Sequence, residues 1–290
     1  MGARGRKARV LGWALASLAL PWGAWGAPPA DEAAVRCMSF NVRYGTADDG
    51  IDAWPQRRSL AIDTIRDFAP DVLGVQEALS FQIAELRAAL PELGCLGVGR
   101  EADGGGEYSA IFFRSDRLDV AACDTWWLSD APHEPGSRTW GNSLPRICTW
   151  ARFLDRRTGQ RWCVLNTHWD HASQRAREES GRLMAKWLAE RFAAAEPAIV
   201  MGDFNAAEES PAFGALLGGV RPLTDGFRTL HPTEEAGTFH GFSGRAGARK
   251  IDAILTTAEW RCVEASIVRT SREQRYPSDH FPVTSVLIRQ

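Results

Sequence analysis

Six short segments place acceptors or imidazoles directly after an apolar, strand-like run. They are Ser39-Phe40-Asn41-Val42-Arg43, Gly74-Val75-Gln76-Glu77, Asn166-Thr167-His168-Trp169-Asp170-His171, Gly202-Asp203-Phe204-Asn205, Lys250-Ile251-Asp252 and Ser278-Asp279-His280-Phe281-Pro282. Strand ends in α/β sheets are where sites are built. One Asp or Asn after one strand is ordinarily a turn former, and a lone His is ordinarily a satisfied polar group. Six such ends are harder to dismiss, because they supply Glu77, Asp203, Asp252 and Asp279, Asn41 and Asn205, and His168 and His280. Carboxylate oxygens with little thiolate and few imidazoles suit Mg²⁺ or Mn²⁺ better than Zn²⁺.

The elements that must position these residues alternate along the chain. Strand signals cover 35–44, 72–76, 108–114, 118–128, 147–154, 162–166, 198–201, 251–256, 262–268 and 283–288. Apolar residues at every third or fourth position predict helices over 55–68, from Ser80 to Pro91, and over 173–194. Gly104-Gly105-Gly106, residues 126–144 and residues 218–249 read as loops. With no repeat and no linker, the expectation is one α/β domain over 27–290 containing antiparallel hairpins.

Residues 1–26 read as an export signal. Arg4, Arg6, Lys7 and Arg9 precede an apolar run, Val10 to Leu20, and Ala24-Trp25-Gly26 offers small residues for cleavage. The run is about 11 residues, short of the roughly 20 that a spanning helix needs, so no membrane anchor is expected after cleavage. A periplasmic or extracellular location permits disulfides among the six cysteines, with pairing left open. The whole chain has 34 Lys+Arg against 36 Asp+Glu; without residues 1–26 it has 30 against 36, a net of −6. That argues against charge-driven coating of nucleic acid and leaves room for a local basic cleft.

The set Ser39-Phe40-Asn41, Gln76-Glu77, Asn166-Thr167-His168, Gly202-Asp203-Phe204-Asn205, Ile251-Asp252 and Ser278-Asp279-His280 resembles the endonuclease/exonuclease/phosphatase superfamily, in motif order from about residue 35 to the C-terminus. Phe-Asn-Val-Arg-Tyr, Pro-Arg-Ile-Cys-Thr-Trp and Tyr-Pro-Ser-Asp-His-Phe-Pro-Val resemble an exported bacterial branch. The resemblance implies a four-layered α/β sandwich, two packed mixed β-sheets flanked by helices, and hydrolysis of a phosphoester with Mg²⁺ or Mn²⁺. By position, Glu77 is the implied principal metal ligand, with Asn41 and Asp279 near the metal or its waters. Asp203 is implied to align and deprotonate the attacking water, and Asn205 to hydrogen-bond that water or the phosphate. His280, oriented by Asp252, is implied to donate to a phosphate oxygen, and His168 to stabilise developing charge or the leaving oxygen.

Other residues carry two readings each. Arg146 is a phosphate clamp or a surface ion pair; Asp170 and His171, like Asn41, are counted with the substrate contacts, or else the pair holds its loop. Tyr108 stands where repair nucleases of the family have an active-site Tyr, or packs; Arg175 and Arg177 read as a solvated face. Trp126, Trp127 and Trp140 either line a stacking groove or fill the core. Two rivals remain. Asn166 to His171 is close to the H-x-H-x-D-H zinc signature of metallo-β-lactamase-like hydrolases, and a non-catalytic phospho-ligand-binding protein on the same fold is the other. The expected partner is a phosphoester of unspecified class (nucleic acid, phospholipid head group, sugar or inositol phosphate), bound by a monomer.

Overall fold

A computed structural model describes residues 33–192 and 196–290, so the expected export signal lies outside the described residues. In chain order the strands are β1 (Val35–Asn41), β2 (Val72–Ala78), β3 (Leu93–Leu96), β4 (Tyr108–Arg114), β5 (Leu118–Trp127), β6 (Ile147–Asp155), β7 (Arg161–His168), β8 (Ala198–Asp203), β9 (Thr224–Asp225), β10 (Asp252–Thr256), β11 (Trp260–Ile267) and β12 (Val283–Arg289). The helices are α1 (Trp54–Phe68), α2 (Ser80–Ala89), α3 (Gln174–Glu190), α4 (Pro211–Leu217) and α5 (Gly226–Leu230). The strands form two six-stranded sheets, β11-β12-β1-β2-β4-β3 and β5-β6-β7-β8-β10-β9. Each has one parallel pair at its centre, β1 with β2 and β7 with β8, and antiparallel neighbours on both sides.

Both faces of each central strand are covered, which explains the near-continuous apolar runs. Alternate residues point to opposite faces. Val72 of β2 and Ile199 and Met201 of β8 pack between the sheets with Ile111, Phe153 and Trp162. Leu73 and Val75 face outward under α1 and α2, against Ile65 and Leu86. Val200 and Leu165 face outward under α3 and α4, against Trp187 and Phe213. The result is the four-layered sandwich that the motifs implied.

The sheets approach closely at Gly74, where a Cβ would fall 2.7 Å from Asn166 Oδ1 and Met201 Sδ. Asn166 Nδ2 donates across the interface to Val75 O (3.0 Å) and Ala110 O (2.8 Å), and its Oδ1 accepts from Gln76 Nε2 (2.7 Å). Asn166 therefore staples the two sheets rather than facing a substrate.

Four elements escaped the periodicity reading, among them β9 and α5, which fall inside residues 218–249 that the sequence reads as a loop. β3 is a four-residue edge strand, and α4 is a seven-residue helix whose start, Ser210 Oγ accepting from Phe213 N with Pro211 at the first position, is a local capping signal. The tryptophans do not line a groove. Trp126 and Trp140 lie in the core under α3, with Trp126 4.2 Å from Trp187 between ring centroids, and buried Trp127 donates to Arg100 O at 2.7 Å. All six cysteines are free thiols, three of them buried in strands. No helix among the described residues is long and apolar enough to cross a membrane.

Candidate active site

The topology gathers the motif residues at one rim. The C-terminal ends of both parallel pairs lie there, bringing Asn41, Glu77, His168 and Asp203 together. Strands antiparallel to these begin at the same rim: Asp252 opens β10 opposite Asp203, Asp279 and His280 precede β12, Glu107 precedes β4 and Arg146 precedes β6. Between them is a cleft of about 660 Å³ lined by Arg43, Tyr44, Glu77, Arg100, Glu107, Leu144, Arg146, His168, His171, Asp203, Asn205, Phe239, Ile251, Asp279 and His280.

Glu77 sits at a register shift in the β2–β4 ladder with φ +66°, and Asn205 follows β8 with φ +48°. Such conformations are uncommon outside glycine and gather at functional sites. Asn41 Nδ2 donates to Glu77 Oε1 and to Asp203 Oδ2, both at 2.9 Å, while Tyr44 N donates to Glu77 Oε2 at 3.1 Å. Asn205 N donates to Asp203 Oδ1 at 2.9 Å. Asp203 Oδ2 lies 3.6 Å from His168 Nε2 and 3.8 Å from His280 Nε2.

The two imidazoles are in opposite states. His280 Nδ1 donates to Asp252 Oδ2 at 2.9 Å. Burial alone would lower its pKa, but Asp252, Asp203 and Asp279 outweigh burial and hold the imidazole well above its ordinary value. His168 is pushed well below its ordinary value by burial, then by Arg146 and Arg100. Asn205 Nδ2 donates to Trp169 O (3.0 Å) and lies 2.9 Å from His168 Nε2, so that ring nitrogen accepts and Nδ1 carries the proton. Asp203 is raised to about 7 by burial and by Asp252, against the lowering pull of His280. A base of that strength, a charged imidazole and a neutral one within 4 Å is the separation of titrations that acid–base chemistry requires.

Glu77 and Asp279 both line the cleft, and burial raises Asp279's pKa, with Glu77 adding to the shift against the pull of His280. Single ligand atoms of Glu77, His168 and Asp203 lie within 4.8 Å of one another. An oxygen-rich set carrying crowded negative charge fits a hard divalent cation.

The expected residues fall into two shells. Glu77, His168, Asp203, Asn205, Asp279 and His280 line the cleft, as do Arg146 and His171. Asn41 and Asp252 lie behind them, Asn41 holding Glu77 and Asp203 and Asp252 holding His280. Asp170 does not reach the cleft. Its Oδ1 accepts from Ala172 N and Ser173 N, and its Oδ2 lies 3.3 Å from Arg146 Nε, so of its two readings the loop-holding one fits. Arg146 is buried, not a surface ion pair, and Nη2 donates to His171 Nδ1 at 2.8 Å. Tyr108 packs beside the core under α2. Arg175 is exposed as expected; Arg177 instead is half-buried and donates to Asp170 O at 2.8 Å. Arg100, Glu107 and Phe239 were missed. A charged residue just before a strand signal, as at Glu107, was the one available hint.

A two-sheet sandwich with this acid–base and carboxylate cluster at one rim defines a phosphoester hydrolase. The chain belongs to the Endonuclease/Exonuclease/phosphatase family, whose sequence profile matches residues 38–280. It is similar to the endonuclease/exonuclease/phosphatase of Bacteroides vulgatus (32% identity, TM-score 0.81, covering 89% of this chain and 99% of that one). A mannosyl-6-phosphatase of Bacteroides thetaiotaomicron matches at 31% identity and TM-score 0.80, covering 88% and 99%. Nocturnin of Drosophila melanogaster is 25% identical over 303 residues, 85% of this chain but 45% of the relative, so the chain spans about half that protein's length.

Proposed function

We propose that the chain is an exported, Mg²⁺- or Mn²⁺-dependent phosphoesterase acting on a small phosphorylated hydroxyl compound, with a sugar phosphate ahead of nucleic acid and phospholipid. The observation that carries the hydrolytic part is the link from Glu77 through Asn41 to Asp203, with both imidazoles within 3.8 Å of Asp203. The bounded cleft, the slightly acidic chain (net −2) and the similarity to a mannosyl-6-phosphatase support the substrate class. Export rests on the basic-then-apolar pattern of residues 1–26, and a mature N-terminus at Ala27 is expected from N-terminal sequencing.

Glu77 and Asp279 would hold the cation, with Asn41 fixing Glu77; when bound it would neutralise charge on the phosphate oxygens. Asp203 takes the proton of the attacking water and holds that water in line. His280, kept protonated by Asp252, donates to a phosphate oxygen. His168, held neutral and oriented by Asn205, faces the leaving-group side.

The test uses the full chain stripped with chelator and then given Mg²⁺, Mn²⁺, Ca²⁺ or Zn²⁺, assayed on mannose 6-phosphate, inositol phosphates, sphingomyelin and DNA. Turnover restored by Mg²⁺ or Mn²⁺, highest on sugar phosphate and lost in Asp203→Ala, is expected. A folded protein without turnover under any metal overturns the reading.

A further inference from the structure

The floor of the cleft beyond His168 holds two guanidinium groups that the hydrolytic steps do not use. Arg146 is 4% exposed. Its Nε lies 3.3 Å from Asp170 Oδ2 and its Nη2 is taken by His171, but Nη1 has no hydrogen-bond partner among the described residues. Arg100 is 7% exposed. Its Nη1 donates to Glu107 Oε2, while its Nε makes no hydrogen bond to the described residues and has Glu101 Oε1 at 3.6 Å. Buried donors without partners are rare and call for an explanation. Both arginines also line a recess of about 10 Å³ with Tyr108, Ser109 and Ile147, room for one water at most.

We infer that Arg100 and Arg146 clamp the doubly charged terminal phosphate of a monoester, and that they make this chain a phosphomonoesterase rather than a phosphodiesterase. The inference rests on the phosphoesterase reading above and narrows its substrate. A monoester phosphate carries about −1.5 to −2 charge at pH 7 and three free oxygens. A diester carries one charge and two free oxygens. Both arginines line the same cleft as Glu77, Asn205, Asp279 and His280. The third free oxygen and the second charge of a monoester give the two guanidinium groups an acceptor that a diester lacks, in the geometry Arg favours. Glu107 lines the same floor, but burial pushes it up to about 7, against the pull of Arg100, so it opposes a dianion less than a full carboxylate would.

The test compares p-nitrophenyl phosphate with methyl p-nitrophenyl phosphate, which share a leaving group and differ by one methyl and one charge. Wild type, Arg146→Gln, Arg146→Lys and Arg100→Gln are assayed as the full chain with Mg²⁺ or Mn²⁺. Wild type should favour the monoester. Arg146→Gln should lower kcat/KM for the monoester by about 10²-fold and for the diester by less than about 3-fold, as loss of one phosphate-specific donor does. Equal losses on both esters, or a wild type that prefers the diester, overturn the clamp and leave the hydrolytic reading standing. No turnover of either ester, nor of mannose 6-phosphate, inositol phosphates, sphingomyelin or DNA, overturns the hydrolytic reading itself. Calorimetric binding of inorganic phosphate against dimethyl phosphate then still decides the clamp: it stands if wild type binds phosphate more tightly and Arg146→Lys or Arg100→Gln weakens that binding, and it falls otherwise.

Discussion

Two clusters of buried charge sit at opposite ends of the same sheets, and they are built to opposite rules. At the far end Arg117 is 1% exposed. It donates to Asp71 Oδ2 (2.8 Å), Asp155 Oδ2 (2.7 and 3.1 Å) and Ala34 O (2.7 Å). The carboxylates are completed by Arg36 N and Arg157 N. At the cleft, Arg146 Nη1, Arg100 Nε and Asp252 Oδ1 have no hydrogen-bond partner among the described residues, and Asp203 is held far from its ordinary pKa. Burying a charge is costly in both places. The closed cluster recovers that cost within the protein and ties the entrance of β1 to the β4–β5 turn. The open cluster leaves its hydrogen-bonding capacity for a ligand, so strain, orphaned donors and shifted titrations coincide there.

Substitutions can break this contrast. The largest effect is expected for Asp203→Asn, with kcat down by about 10³-fold or more and no loss of thermal stability. The folded-state pKa, about 7 against 3.8, is raised, so wild type without metal should lose stability as pH rises through that interval, and the variant, which keeps the contributions of Glu107 and Asp279, should lose less. Melting curves across pH check this. Asp252→Asn should lower kcat/KM by about 10–10²-fold. Asp252 holds His280 protonated, so removing its charge lowers the His280 pKa, and the alkaline limb of the pH–rate profile should move to lower pH. Asn41→Ala should cost about 10-fold and raise the Mg²⁺ concentration needed for half-maximal rate, because Glu77 and Asp203 lose their shared donor. Arg117→Met should leave kcat and KM within about 2-fold, as a distant site does, yet lower unfolding free energy in urea by about 3–5 kcal/mol, since Asp71 and Asp155 stay buried without their cation. A large kinetic effect of Arg117→Met would mean that the two clusters are coupled.

Most of the cleft's acid–base residues were legible from one rule, polar residues directly after apolar runs. Asn41, Glu77, His168 and Asp203 end strands, so their side chains had to emerge at a sheet rim. The arginine floor was only half visible. Arg146 could be noticed, but whether it was a surface pair or a buried donor depended on Asp170 and His171, some 25 residues away in sequence. Arg100 and Glu107 lie beside the Gly104-Gly105-Gly106 loop, where no periodicity marks a facing direction. Asn166 belongs to the same motif as His168 and shares its face of β7, but it stands two residues back from the rim, where it bonds across the sheet interface.

The sequence by itself determined the α/β class, the strand ends that carry chemistry and the acceptor-rich donor set, because local alternation and residue type are properties of neighbours along the chain. Tertiary structure alone decided which of two imidazoles is charged, which asparagine orients and which staples, and which arginines keep a free nitrogen. Those depend on burial and on partners brought from distant strands, and the electrostatics of a buried group is set by what lies within a few ångströms in space.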